Sequence, residues 1–205
     1  VSWAWNFGDG TPSVVNQSPT HTYLQAGTFN VMLVATYTDQ CADSTSHLVS
    51  IYDIPDADFS WDYVCEGVAT PFINHSTVSF PENIISWIWD YGDGSPADTA
   101  INGSHFYPNG GNYNVSLDII SGHGCTGTTN QAIWVNYSPE VDVVTTEPAG
   151  CPDLCVQFYD LSSIPFGDLD SRTWNFGDFQ FGHDSIETHC YHNDDFFDPS
   201  YYNIR

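Results

Sequence analysis

Through the middle of the chain, apolar and polar positions alternate in short runs, each ended by glycine, proline, asparagine or aspartate. A period of two residues turns one face of a strand to a core and the other to water. Between residues 55 and 138 this predicts strands over 57–61, 70–74, 84–91, 104–107, 112–120 and 132–137. Turns fall at Gly92-Asp93-Gly94, Pro108-Asn109-Gly110-Gly111 and Ser121-Gly122-His123-Gly124, where glycine and asparagine accept positive φ and aspartate bonds back to the backbone. No helix is predicted. Short strands in this number, one of them carrying a tryptophan, predict an all-β fold of immunoglobulin-like sandwiches.

The pattern recurs along the chain. W-N-F-G-D-G from Trp5 returns as W-D-Y-G-D-G from Trp89 and W-N-F-G-D-F from Trp174, at steps of 84 and 85 residues. Each is followed by H-x-Y: His21 and Tyr23, then His105 and Tyr107, then His189 and Tyr191. G-T-F-N-V at 27–31 matches G-N-Y-N-V at 111–115 and, more loosely, S-Y-Y-N-I at 200–204. Cysteines keep the period too, Cys41 matching Cys125 at 84 residues and Cys65 matching Cys151 at 86. The chain therefore reads as three tandem copies. Residues 1–54 form a partial copy lacking its first strands, 55–138 a complete copy, and 139–205 a partial copy lacking its last strand.

Charge removes whole classes of function. The 205 residues carry 26 Asp and Glu against two cations, Arg172 and Arg205, for a formal net charge of -24. Nucleic-acid binding needs a basic face to displace counterions, so it is excluded, and an anionic membrane surface would repel the chain. No apolar run reaches the ~20 residues that cross a bilayer, so no membrane insertion is expected. No H-E-x-x-H, G-x-S-x-G or P-loop occurs, and no enzymatic activity is expected. Six cysteines without a C-x-x-C spacing point to an oxidising, extracellular or cell-surface setting.

W-x-F/Y-G-D-G, then H-x-Y, then G-x-Y/F-x-V-x-L resembles the signature of PKD (polycystic kidney disease) domains. The resemblance covers essentially the whole chain and implies tandem β-sandwiches on an extracellular protein. It departs in the third copy, where Phe179 replaces the second glycine of G-D-G and five extra residues lengthen the loop around 193–197. Arrays of this kind look like those of large secreted bacterial surface proteins. The implied role is a structural and adhesive module of a stalk, surface filament or adhesin. Its partners would be a protein or glycan on a surface, or neighbouring copies of itself. The rival is an accessory region of a secreted hydrolase that holds polysaccharide or collagen with exposed aromatics.

Within each copy Trp5, Trp89 and Trp174 are expected in the core. Asp9, Asp93 and Asp178 are expected to cap a tight turn, with His21, His105 and His189 as structural histidines on a strand. For a cation, Asp53, Asp56, Asp58 and Asp62 at the first junction and Asp142 at the second are the Ca2+ candidates, since calcium takes oxygen ligands in loose geometry. His183, Asp184, His189, Cys190, His192, Asp194 and Asp195 form a weaker transition-metal candidate peculiar to the third copy. Because Cys65 and Cys125 both recur with the period, they are expected to pair, leaving Cys41 and Cys151 without partners in the chain. Cys155 and Cys190, on neighbouring strands of the third copy, are expected to form a second bridge. Ser44, Thr99 and Ser185 sit in D-S-T, D-T-A and D-S-I triplets that resemble a bacterial O-glycosylation signal. Asn16, Asn74, Asn102, Asn114 and Asn136 head N-x-S/T triplets.

Overall fold

The computed structural model describes residues 1–38, 41–146 and 153–192, which form strands and turns and no helix. None of these residues lies in a helix long and apolar enough to cross a membrane. The first copy contributes β1 (Ser2–Asn6), β2 (Gly27–Thr36) and β3 (Ala42–Ile51), an antiparallel sheet in that order. The complete copy contributes β4 (Phe59–Trp61), β5 (Ala69–Asn74), β6 (Ile84–Asp90), β7 (Gly103–Phe106), β8 (Gly111–Ser121) and β9 (Thr126–Val135). These form two sheets, β4-β5-β7 and β6-β8-β9. The third copy contributes β10 (Val143–Thr145), β11 (Leu154–Asp160), β12 (Trp174–Asn175), β13 (Phe181–Gly182) and β14 (Ile186–Tyr191), ordered β10-β11-β14 and β12-β13.

Register repeats with sequence. Trp5 lies opposite Leu33 in β1–β2, and Trp89 lies opposite Leu117 in β6–β8, each position 84 residues on. Alternation sends Trp89, Val115, Leu117, Ile119, Ile133 and Val135 inward, and all six are buried. Rings from both sheets meet there: Phe59 and Phe72 lie 5.2 and 5.8 Å from Trp89. The matching residues of the first copy, Trp5, Val31, Leu33, Ala35, Val49 and Ile51, are only half-buried, and no counterpart of the β4–β5 pair is among its described residues. In the third copy Val156, Phe158, Trp174 and Phe176 form the core, with Leu154 and Tyr191 packed on it.

The described strands keep the expected order, and β9 differs most in extent. β9 begins at Thr126 rather than 132, because its first half is polar and contains Gly127, features that read as loop. Gly127 is there because a Cβ would collide with the carbonyl oxygen of Pro55. By packing, the chain divides into two compact units: Val1–Asp62 with Ala69–His105 and Tyr113–Ile133, and Tyr63–Val68 with Phe106–Asn112 and the chain from Trp134 onward. The first copy and most of the second thus share one unit.

Candidate functional site

The recurring motif builds one cluster three times. In each copy the tryptophan indole donates to a carbonyl across the turn: Trp5 to Asn16 at 3.0 Å, Trp89 to Ala100 at 2.9 Å, and Trp174 to Asp184 at 2.9 Å. The next residue accepts from the glycine that follows, Asn6 from Gly8, Asp90 from Gly92 and Asn175 from Gly177, at 2.8 to 3.0 Å. Those glycines have φ of 78°, 76° and 87°. A Cβ on Gly8 would come 2.8 Å from the Asn30 carbonyl oxygen, and one on Gly92 would collide with that of Asn114, so only glycine fits.

The motif aspartate then works with both oxygens. Oδ1 accepts the backbone amide two residues on, from Thr11, Ser95 or Gln180, at 3.0 to 3.1 Å. Oδ2 bonds the histidine Nε2 at 2.7 Å in all three copies: Asp9 with His21, Asp93 with His105, Asp178 with His189. Each imidazole stacks on the aromatic residue two after the tryptophan, Phe7 at 3.9 Å, Tyr91 at 4.3 Å and Phe176 at 4.2 Å. The tyrosine of H-x-Y closes the ring of contacts, Tyr23 donating to the Phe7 carbonyl and Tyr191 to that of Phe176, both at 3.1 Å. Tyr107, its counterpart, is buried.

Electrostatics follow the same wiring. The hydroxyl of Thr11, with His21 and the Thr11 amide, holds Asp9 down at about 2. For Asp93 burial pushes upward, but bonds from Ser95 and His105 outweigh it and bring the carboxyl to about 2. Asp178 is lowered in the same way, burial being outweighed by His189 and the Gln180 amide. An aspartate holding a histidine is the orienting half of a general base. Here both groups are committed to a turn amide and an aromatic face, identically in every copy, which makes the cluster a clamp between the turn and the H-x-Y segment.

Of the expected roles, the aspartates cap the turn, and Trp89 and Trp174 are buried while Trp5 is half-buried. His105 and His189 lie on β7 and β14, but His21 lies outside any strand. The aromatics Phe7, Tyr91 and Phe176 and the caps Asn6, Asp90 and Asn175 were not assigned roles from sequence, although their recurrence within W-x-F/Y-G-D was visible. At the departure from the motif, Phe179 adopts φ of 71° where Gly10 and Gly94 have 84° and 81°, and its ring is 96% exposed. A left-handed non-glycine residue is strained, and an exposed ring returns no burial. Phe179→Gly should therefore stabilise the chain by about 0.5 to 1 kcal/mol after glycine's added chain entropy, read by urea denaturation.

The structure distributes the other candidates. Asp56 pairs with Thr77 through its backbone, Asp58 accepts from Gln131, and Asp142 accepts the Val143 amide. Among the described residues, no three His, Cys, Asp or Glu gather into a metal-sized group. A calcium site at the junction would raise the melting temperature between chelator and millimolar calcium and lose that rise in Asp56→Asn, whereas an unchanged curve would exclude it. In the third copy, His183 contacts the Arg172 carbonyl, the Asp184 backbone carbonyl accepts from the Trp174 indole, His189 bonds Asp178, and His192 bonds Asp153. Asp194 and Asp195 lie outside the described residues, as does Cys151.

Cys155 and Cys190, directly opposed across β11 and β14, form a disulfide. Cys65 and Cys125 do not meet: both are free, as is Cys41. Cys125 precedes the first residue of β9, whereas Cys65 lies opposite Asn136 just past its last, and ten extended residues span ~33 Å. A disulfide needs Cα atoms within ~7 Å. Ser44 is exposed on β3, and Thr99 and Ser185 are exposed between strands.

In the complete copy, two three-stranded sheets share an aromatic core, with a tryptophan-anchored turn clamped by an Asp–His pair. That defines an immunoglobulin-like β-sandwich module. The PKD domain family matches residues 1–51 and 53–135, and the chain belongs to it. Polycystin-1 from Homo sapiens is 26% identical over 189 residues, spanning 87% of this chain and 4% of that protein. Among solved structures, the PKD1 domain of Vibrio anguillarum Epp is 26% identical with a TM-score of 0.39, over 43% of this chain and all of that one. The PKD1 domain of the Vibrio cholerae metalloprotease PrtV is 31% identical with a TM-score of 0.37, over 40% of this chain and 98% of that one.

Proposed function

We propose that the chain is a non-enzymatic extracellular module, a segment of a PKD array that acts as stalk, surface filament or adhesin. The observation that carries this reading is that the motif residues bond one another in the same way in every copy. Chemistry that repeats identically and points at itself serves the scaffold. The first junction supports it further. His123, in the β8–β9 turn, stacks on Tyr52 at 3.6 Å and bonds Glu82 at 2.6 Å, so the linker around Ile54-Pro55 is held at its entrance. Short, held linkers extend reach while restricting bending. A surface density of negative charge keeps neighbouring arrays apart in solution.

A second reading, as an accessory region of a secreted hydrolase, rests on the exposed rings of Phe179 and Phe181 in the third copy. Sedimentation of the full chain with insoluble polysaccharides and with fibrillar collagen separates the two. The scaffold reading predicts that the share of chain in the pellet does not depend on Phe179 or Phe181. Capture that disappears when Phe179 and Phe181 become Ser would favour the accessory region instead.

A further inference from the structure

The turn after the tryptophan strand is built for folding in two copies and departs from that in the third. After the motif aspartate the first copy has Gly10-Thr11-Pro12 and the second Gly94-Ser95-Pro96, whereas the third has Phe179-Gln180-Phe181. Three scaffold features are given up there. The glycine at the left-handed position becomes a phenylalanine with φ of 71°. The hydroxyl that donates to the aspartate in the first copy, Thr11 to Asp9 at 2.6 Å, becomes the amide side chain of Gln180, and the proline that stiffens the turn is gone. In their place stand two rings on the β12–β13 hairpin, 96% and 60% exposed. Packing does not offset these losses, and backbone strain kept beneath an exposed ring points to a contact outside the chain.

Charge decides the chemistry of that contact. Asp184, two residues past β13, is exposed. The Glu187 carboxylate lies against Gly182, the neighbour of Phe181, and is fixed by the amides of His183 and Asp184 at 2.7 and 2.9 Å. Arg172, the one Lys or Arg among the described residues, is bound to Asp160, so no such side chain neutralises this rim. A second copy of the chain, at a net charge of -24, would set carboxylate against carboxylate, and an anionic glycan would be repelled in the same way. A cationic side chain is drawn both by the ring faces and by the carboxylates beside them.

We propose that the Phe179–Phe181 tip of the third copy is a docking site for a basic polypeptide segment, whose Arg or Lys side chains seat over the two rings with Asp184 and Glu187 beside them. The inference rests on the adhesin form of the proposed function and names the chemistry of its partner. It gives to an adhesive contact the rings that the accessory-region reading gives to polysaccharide. It also explains why only this copy departs from the glycine turn: the strained phenylalanine serves binding, and the Asp178–His189 clamp beneath it holds the tip in place.

The test titrates the full chain into a fluorescein-labelled peptide of alternating Arg and Ser, read by anisotropy at physiological ionic strength, with a peptide carrying Gln for Arg as control. Each ring is expected to contribute about two- to fivefold in affinity, so Phe179→Gly and Phe181→Ser each weaken binding by that factor, and the Gln peptide does not bind. Phe179→Gly relieves the backbone and keeps its stability toward urea, so its weaker binding is not a loss of fold. Asp43→Asn, on exposed β3 of the first copy, removes one charge far along the chain and is expected to leave the affinity unchanged. Equal affinity of the parent chain and both Phe variants, or a loss in Asp43→Asn as large as in Phe179→Gly, would show attraction to net charge alone and overturn the proposal. Ring-dependent pelleting with polysaccharide in the absence of ring-dependent peptide binding would overturn it in favour of the accessory region. If neither peptide nor polysaccharide binding depends on the rings, the docking site falls and the scaffold reading stands.

Discussion

Replacing Trp89 by alanine is expected to remove about 3–5 kcal/mol of unfolding free energy, the range for deleting a large buried aromatic. The ring is fully buried, lies within 6 Å of both Phe59 and Phe72, and satisfies the Ala100 carbonyl through its indole. Truncation leaves a cavity between two sheets and orphans that acceptor. The same change at Trp5 is expected to cost less than half as much. Trp5 has the same motif position and the same kind of indole bond, but it is half-buried. Urea denaturation of the two variants side by side measures how much of the tryptophan's contribution comes from the opposing sheet, since the local turn is common to both. Equal losses would show that the turn, and not the sandwich, sets the value.

Acid is expected to unfold the chain steeply between pH 4 and about 2. Asp9 and Asp93 sit at about 2 in the folded chain, and Asp98, Asp160, Asp178 and Glu187 are also lowered. The causes are led by the Thr11 hydroxyl for Asp9, the Ala100 amide for Asp98, Ser162 for Asp160 and the Asp184 amide for Glu187, while for Asp93 and Asp178 hydrogen bonds outweigh burial. A carboxyl lowered on folding takes up its proton later in the native chain than in the unfolded one, which titrates near 4. In that window the unfolded chain binds more protons, so stability falls as pH falls. Above it an opposing effect acts: neutralising part of the net charge of -24 relieves self-repulsion. Stability is therefore expected to hold or rise slightly toward pH 4 to 5 and then to collapse. Circular dichroism across pH 7 to 1.5 checks this, and Asp93→Asn should flatten the acid limb of the second copy.

Much of this was legible in the sequence because repetition marks residues that share a job. The Trp, Asp, His and Tyr positions recur at one period, and the strands between them alternate cleanly enough to place five of the six in the complete copy. What was hidden lay where the local signal is ambiguous. Thr126–Val135 opens on T-G-T-T-N-Q, a loop composition that becomes a strand because its neighbour supplies the hydrogen bonds and Pro55 needs a glycine beneath it. The Cys65–Cys125 pairing took recurrence for proximity: both cysteines keep the period, yet they sit at opposite ends of β9 and stay free. The stack of Phe7, Tyr91 and Phe176 on histidine was spelled out in W-x-F/Y-G-D, yet ring-on-imidazole contact has no sequence signature of its own.

The account stands on the Asp–His pair being a structural clamp, and a double-mutant cycle on Asp93 and His105 tests that most directly. Unfolding free energies of the parent chain, Asp93→Asn, His105→Gln and the double variant isolate the pair from everything else each residue does. A charge-assisted bond at 2.7 Å between largely buried groups predicts a coupling of about 1–2 kcal/mol, with each single variant losing most of what the double variant loses. Additive losses, with coupling near zero, would contradict the clamp and leave the recurring spacing of the motif without its physical cause.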